Sequence, residues 1–478
     1  MMPRSARWIL LAAALGAAGA CNVGPDYQRP PVTASDGFKS ASPDEAGDPG
    51  LTRDWWKLFN DPDLTALEQG AIQANQDLKA AVARVDQARA ALQGSKSPLY
   101  PTLDFNPSID RFRTSQNAPT ARGSSLTATD IHAPFDLGYE VDLWGKIRRG
   151  IEAAEAQAKA SADDLGVVLH TMESDLASTY FQIRSLDLQV EILNRTVASY
   201  HRQVDLLNTQ LKAGLVGRIN VSQAEALLYS TQSQLVDIRR QRADLEHAMA
   251  ILMGKAPSGF SLPVKALDLD VKLPTVPAGL PAELLRRRPD VAEAEQNLAA
   301  ASAQIGVAVS QYYPDLQLTG SAGWESLDFR HLLNWQSRVW SIGASLAQPI
   351  FEGGRIDASV DQARGRYSEL LAVYRGQVLA AYRDVEDALT DLHLRSDAAQ
   401  SLNQAVNSSR EYLGLAETQY QQGLISYFQV IDAERTLLGN ELSAAQLASL
   451  RLVSMVQLIK ALGAGWEEGA PSPFPQEP

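Results

Sequence analysis

The chain has 478 residues, enough to bury two or three ordinary cores, and a single cysteine, which excludes a disulfide framework. A formal charge of −13 makes it a poor partner for nucleic acid. The six histidines are scattered, and neither a His-Glu-x-x-His, a Gly-x-Ser-x-Gly nor a phosphate-binding loop occurs, so nothing points to an enzyme, a metal or a cofactor. His170 and His247 read as exposed helix residues.

Met1 to Ala20 reads as a secretory signal. Arg4 and Arg7 supply the positive start, Trp8 to Leu15 the apolar run, and Ala18-Gly19-Ala20 the small residues before a cut. Cys21 follows directly, where bacterial lipoproteins carry the acylated cysteine, and Asn22 favours the outer membrane, since an inner-membrane retention signal more often shows Asp there. Loss of the two signal arginines leaves a mature charge of about −15. Beyond the signal no apolar stretch approaches the length of a transmembrane helix, so a membrane role has to rest on strands.

Asp61 to Lys96 opens with Asp61 as N-cap and Pro62 at the first helical position, and predicts a helix. Strands follow. Leu103, Phe105 and Ile109 alternate with Asp104, Asn106 and Ser108; in Phe135 to Trp144, Leu137, Tyr139, Val141 and Leu143 alternate with Asp136, Gly138, Glu140 and Asp142. From Phe135 to Ala256 there is no proline, and a helix interior loses about 3 kcal/mol to each one. Gly145 to Ala213 therefore predicts one helix of about 68 residues, roughly 100 Å long, and Asn220 to Met253 a second of half that length. Leu186, Val190, Leu193, Val197, Tyr200, Val204, Leu207 and Leu211 form a stripe of alternating four and three spacing. Val221, Ala224, Leu228, Leu235, Ile238, Leu245, Met249 and Leu252 keep that rhythm on the return. Together they predict a coiled-coil hairpin closed at Gly214 to Ile219. Asp61 to Lys96 would then stack end-on above the return helix and supply the partner that the rest of the long helix lacks.

The second half repeats the first. Gly145-Lys146-Ile147 matches Gly354-Arg355-Ile356, Gly214-Leu215 matches Gly423-Leu424, Ala224-Glu225 matches Ala433-Glu434, and Met253-Gly254 matches Leu462-Gly463, all at one offset. Pro289 to Ser310, Gly353 to Tyr420 and Phe428 to Leu462 are the equivalent helices. Leu316, Leu318, Ala322 and Trp324, then Trp340, Ile342, Ala344 and Leu346, are the apolar faces of the equivalent strands. The segments are 1–20 signal, 21–60 lipidated lead, 61–254 first repeat, 255–282 linker, 283–466 second repeat and 467–478 tail.

An apolar strand face opposed to a small or polar one suits a lipid-facing, water-lined barrel, although an ordinary half-buried sheet alternates in the same way. Four strands have open edges that lipid does not tolerate. Two, three or four copies of the chain would close the barrel, and the helices would go round with it as a tube.

Cys21-Asn22-Val23-Gly24-Pro25-Asp26-Tyr27 with Arg29-Pro30, Trp55-Trp56 with Phe59 and Asp61-Pro62, Gly279-Leu280-Pro281 with Leu284-Leu285 and Arg287-Arg288-Pro289-Asp290, and Ala461-Leu462-Gly463 with Gly465-Trp466 occur in order. In these the chain resembles the outer membrane factors related to TolC, especially the lipoprotein branch typified by OprM. The resemblance implies a mainly helical, TolC-like homotrimer: a twelve-strand outer-membrane β-barrel, four strands per protomer, joined to an α-barrel of coiled-coil helices with an equatorial collar. The collar would comprise Asn22 to Asn60, Gly254 to about Ala282 and the C-terminal tail. The implied role is the exit duct of an RND-type tripartite efflux pump, with a periplasmic adaptor and an inner-membrane RND pump as partners and outer-membrane lipid around the barrel. A type I protein secretion channel is the alternative. A periplasmic adaptor would show one hairpin in a lipoyl-type motif, and a structural coiled coil would lack the strands.

The resemblance also places function at the hairpin turns. Gly214, Leu215, Val216, Gly217 and Arg218, with Gly423, Leu424, Ile425 and Ser426, are the candidates for adaptor docking; the glycines also serve the sharp reversal itself. In the family the inner helix pair carries a constriction with an acidic and an apolar ring. Phe428, Asp432 and Arg435, which stand where the first copy has Ile219, Gln223 and Ala226, are the gate candidates. Their spacing puts them on one helix face, where Asp432 and Arg435 can form an ion-pair latch.

Overall fold

The computed structural model describes residues 22–32, 37–40, 50–117, 126–269, 273–277 and 287–466. The signal, Cys21, Gly279-Leu280-Pro281, Leu284-Leu285 and the tail from residue 467 lie outside the described residues. The twelve main elements, in order, are α1 (Pro62–Ala74), α2 (Gln76–Ser95), β1 (Thr102–Phe105), β2 (Ser108–Arg113), β3 (Thr127–Val141), α3 (Lys146–Lys212), α4 (Arg218–Leu252), α5 (Pro289–Ser310), β4 (Asp315–Ser326), β5 (Arg338–Ala347), α6 (Arg355–Gln421) and α7 (Tyr427–Ala461). The two long helices are 67 residues each and the two return helices 35 each, so the duplication in the sequence is a duplication of elements. The chain forms two compact units: Met1–Pro31, Arg84–Ser161 and Ala294–Tyr374 in one, Val32–Ala83, Ala162–Glu293 and Arg375–Pro478 in the other. Both repeats contribute to each unit.

The first unit holds one antiparallel sheet in which β1 and β2 both pair with β3, β3 with β4, and β4 with β5. β1 and β2 are one strand interrupted at Asn106-Pro107, where proline has no N–H for the ladder. Register sorts the two faces. Phe105 pairs with Phe135, Phe135 with Ala322 and Ala322 with Trp340; Asp104 pairs with Asp136, Asp136 with Ser321 and Ser321 with Ser341. On the apolar face the rings of Phe105 and Phe135 stack at 4.7 Å, while Trp340 and Ile342 stay 75% and 83% exposed, so no helix among the described residues covers them. The other face carries Asp104, Asp110, Asp130, Asp136, Glu140 and Glu325 and no lysine or arginine within the strands. Gly323 lets β4 approach the Ala133-Pro134 backbone, since a Cβ there would lie 2.2 Å from the Ala133 carbonyl oxygen.

In the same unit the segment that follows Cys21 is fixed against helices. Val23 N–H donates to the Trp144 carbonyl (3.1 Å), and Arg149 donates to the Val23 carbonyl (3.3 Å) and to Asp26 (2.6 Å). Arg29 pairs with Glu295 at 2.5 Å. Gly24, at φ +89°, crosses α5 where that helix also has a glycine; a Cβ on Gly24 would lie 2.5 Å from Gly306 Cα. The residues of the lipoprotein-like signature thus have structural work downstream of the cysteine.

In the second unit the predicted stripes are the seams of the hairpins. Leu186 and Leu193 pack with Leu235 and Ile238, and Leu207 with Val221 and Ala224, where Ala416, Tyr427 and Val430 of the second hairpin join them. Two expectations need correction. The segment Asp61 to Lys96 is two helices, because Asn75 turns the chain: its Oδ1 accepts from Leu78 N–H (2.9 Å) and its Nδ2 donates to the Leu252 carbonyl (2.9 Å). The return helix α4 therefore ends against the start of α2, just as α7 ends against the start of α5, where Arg288 donates to the Ala461 carbonyl (3.3 Å). The second correction concerns apolar length. One stretch of α7 is long and apolar enough to span a bilayer, but more than half of it is buried in the protein, where the hairpin uses its apolarity.

Charge ties the linker to this unit. The side chain of Asp187 is 1% exposed and accepts from Arg242 Nε (2.6 Å) and Lys265 N–H (3.0 Å), with Arg184 at 3.4 Å. Arg184 also donates to the Pro263 carbonyl (2.6 Å), and Arg242 to that of Leu262 (2.8 Å). Removing one member of such a network leaves buried charge uncompensated. Asp187→Ala is expected to lower stability by about 3 kcal/mol, read as an earlier denaturant midpoint for the detergent-solubilised protein.

Candidate functional site at the hairpin turns

Both turns reverse the chain by one device. Gly214 and Gly423 take φ of +69° and +75°, the left-handed region open to glycine without strain. Their N–H groups donate to the carbonyls of Leu211 and Tyr420, and those of Leu215 and Leu424 reach back to Gln210 and Gln419 (both 2.9 Å). Gly217 and Ser426 are the N-caps of α4 and α7 in extended backbone, without a side-chain cap bond. Nothing lies within 4 Å of a Cβ built on Gly214 or Gly423, so backbone angle, not space, selects glycine.

The turn residues divide by exposure. Leu215 and Leu424 are 75% and 69% exposed, which is unusual for leucine beside a helix end, where it would ordinarily fold back on the last turn. Arg218 is exposed and reaches Glu225 at 3.5 Å. Val216 and Ile425 turn inward instead and pack on the cluster of Leu207, Val221, Tyr427 and Val430.

Phe428, Asp432 and Arg435 share an exposed face of α7, as their spacing predicts, with Phe428 64% exposed. No ion pair joins Asp432 to Arg435 among the described residues. The hydroxyl of Tyr412, on α6, donates to Asp432 Oδ2 at 3.4 Å instead. A neighbouring helix of the same hairpin thus orients the carboxylate, and the guanidinium is left facing outward.

Behind that face lies a group that the sequence reading passed over. Glu434 is 6% exposed, and its Oε2 has no hydrogen-bond partner. Burial, reinforced by Glu417, pushes its carboxyl up to about 7. Tyr200 from α3 and Tyr427 from α7 border it; both are buried, and burial followed by the charge of Glu434 raises each phenol above its ordinary value. Val430 and Ala433 continue the stripe of Val221 and Ala224, and Glu434 stands one residue beyond it, where the packing of the two hairpins closes over it. One turn-pair further along, Glu441 accepts from Arg195 (2.6 Å) and Arg410 (3.1 Å), tying both long helices to α7.

His170 also departs from expectation. It is buried at 6% exposure, and desolvation, followed by the positive charge of Lys460, holds its imidazole down to about 4. It is a neutral core residue; His247 is exposed as expected.

With this geometry in view, residues 67–255 and 280–464 match the family model of outer membrane efflux proteins. The pyoverdine export outer membrane protein OpmQ of Pseudomonas aeruginosa is 34% identical over 87% of this chain and 88% of its own length. The toluene efflux pump outer membrane protein TtgI of Pseudomonas putida is 32% identical over 94% and 96%. The structure of the Campylobacter jejuni CmeC outer membrane channel superposes with a TM-score of 0.89 at 26% identity, over 94% of this chain and 96% of that one. The fold is that of TolC-like outer membrane channels, and members of the family are channel proteins of tripartite efflux systems. A duplicated hairpin unit with an uncovered apolar sheet, two matched stretches of the family model and near full-length relatives place this chain in the outer membrane efflux protein family.

Proposed function

We propose that three copies of this chain join at their open strand edges into a twelve-strand barrel and a helical tunnel, an exit duct for small molecules. An inner-membrane RND pump and a periplasmic adaptor deliver the cargo, and acyl chains on Cys21 hold the duct in the outer membrane. One observation carries this reading: a sheet whose one face is apolar and uncovered, whose other face is polar and acidic, and whose outer strands pair on one side only among the described residues. Such a sheet has lipid for one neighbour, water for the other, and copies of itself at the edges. Conduction needs no chemistry from the chain. The relatives named for pyoverdine export and toluene efflux are nearly equal in identity, so the choice of cargo rests with the pump.

Within this reading Phe428, Asp432 and Arg435 line the constriction, and three acidic side chains around a threefold axis need hydration or an outside partner such as Tyr412. Leu215 and Leu424, with Arg218, Gly217 and Ser426 around them, form the adaptor contact; Val216 and Ile425 support it from within.

The purified, acylated protein is expected to form a trimer that conducts ions in planar bilayers and prefers cations, from the reversal potential in a salt gradient. A water-soluble monomer without conductance defeats the proposal. Asp432→Ala and Arg435→Ala are expected to raise single-channel conductance severalfold, and unchanged conductance removes both residues from the gate. Gly214→Asp or Gly423→Asp should abolish crosslinking to the adaptor while trimers persist on native gels; full efflux in such a strain would place docking elsewhere.

A further inference from the structure

We propose that Glu434 makes the packing of the second hairpin against the first dependent on proton concentration, so that acid tightens the tip and neutral pH loosens it. The inference rests on the duct reading and adds its regulation.

The geometry comes first. At this level α7 is wedged between hairpins: Val430, Ile431 and Ala433 lie in one cluster with Leu207 of α3, Val221 and Ala224 of α4, and Ala416 of α6. Glu434 extends the buried side of that helix, with its Oε2 enclosed and unpartnered, and the hydroxyl of Tyr200 is likewise buried without a partner. An ionised carboxylate is expensive in such a place. Among the described residues no hydrogen bond to Oε2 and no opposite charge compensates it: α6 presents Glu417, α3 presents Tyr200, and α7 itself presents Tyr427. The contribution of α4 to the cluster is the apolar pair Val221 and Ala224, while Glu225 is held by Arg218. Arg435, the next residue, is exposed and acts on Tyr200 rather than on Glu434.

The sign follows from linkage. In the packed tip the carboxyl titrates near 7; when hairpin contacts open to water it returns toward its ordinary 4.5. The packed state binds the extra proton, so its advantage is full below the open-state value and is lost progressively as pH rises through the packed one. Between pH 5 and pH 7 the packed-to-open ratio should fall by about tenfold or more, each unit of difference being worth tenfold. Phe428, Asp432 and Arg435 ride on the same helix, so loosening α7 moves the constriction itself. Acid also protonates carboxylates on the exposed face, but Glu434→Gln leaves these in place while fixing the buried group as neutral.

Two readouts on the full-length protein test this. In planar bilayers, the open probability of the unmodified trimer should rise between pH 5 and pH 7, and that of Glu434→Gln should stay low across the range. Hydrogen-exchange protection factors over 427–435, which correct for the intrinsic pH dependence of exchange, should fall about tenfold from pH 5 to pH 7 in the unmodified protein and stay level in Glu434→Gln. Protection that falls equally in both proteins, or in neither, overturns the proton link whether or not the channel conducts. A Glu434-dependent change in protection without any ion conductance upholds the link and defeats the duct.

Discussion

The backbone of β5, and that of β1 and β2 on the far side, each presents a row of N–H and C=O groups with no strand partner among the described residues. In water such a row is solvated. In hydrocarbon each unpaired group costs several kcal/mol, and a face bearing Trp340, Ile342 and Phe135 has nowhere else to go. The chain therefore cannot rest as a monomer in a bilayer, and the rest of its construction follows from that constraint. Duplication helps to meet it. Each repeat supplies a pair of antiparallel strand positions, so any closed ring of copies has an even number of strands with compatible edges, and the interruption at Asn106-Pro107 is absorbed by β3 pairing with both β1 and β2.

The helices face a related problem of lateral partners. A helix of 67 residues has no stability in water on propensity alone, and a return helix of 35 covers only half of it. Both repeats show the same splice: α4 ends at Gly254 against Ala74 and Asn75, where α2 begins, and α7 ends at Gly463 against Arg287, where α5 begins. Each glycine sits at positive φ where a Cβ would meet a carbonyl oxygen, so the splice needs glycine for angle and for space at once. The charged staple at Asp187 then binds the linker that follows the first splice, with Arg184 and Arg242 reading backbone carbonyls of a segment that also buries Leu262 and Leu267.

Much of this was legible in the residues because it is written in strong local rules. Proline-free zones bounded by glycine gave both hairpins to within two residues, and the offset between Gly145 and Gly354 revealed the repeat. Strand alternation gave the faces before any register was known. Most of what escaped was decided by tertiary contact. Asn75 is a good N-cap by residue type, and its local bond from Leu78 N–H was a signal the reading passed over; only the second bond, from its Nδ2 to the Leu252 carbonyl, lies beyond any local rule. His170 and Glu434 carry polar side chains that lie off the apolar stripes, and packing from other helices buries both. Tyr412, the partner of Asp432, lies on another helix at a distance that no spacing rule reaches.

The two copies share a backbone plan and diverge in charge close to the turn. Ile219 and Phe428 are both exposed apolar residues near the turn, so an apolar tip belongs to the common plan. Four residues on, Gln223 in the first copy is Asp432 in the second; seven on, Ala226 is Arg435. Between them, Glu225 and Glu434 keep the same side chain with opposite fates. Glu225 remains partly open to water and pairs with Arg218, whereas Glu434 is enclosed among tyrosines. A scaffold with no task at its tip would have no reason to hold a costly unpaired acid in one copy and solvate it in the other. The copy that bears that cost also carries Phe428, Asp432 and Arg435, so the proposed constriction and the proposed proton link share one helix, and a helix pair near balance is what a movable constriction would require.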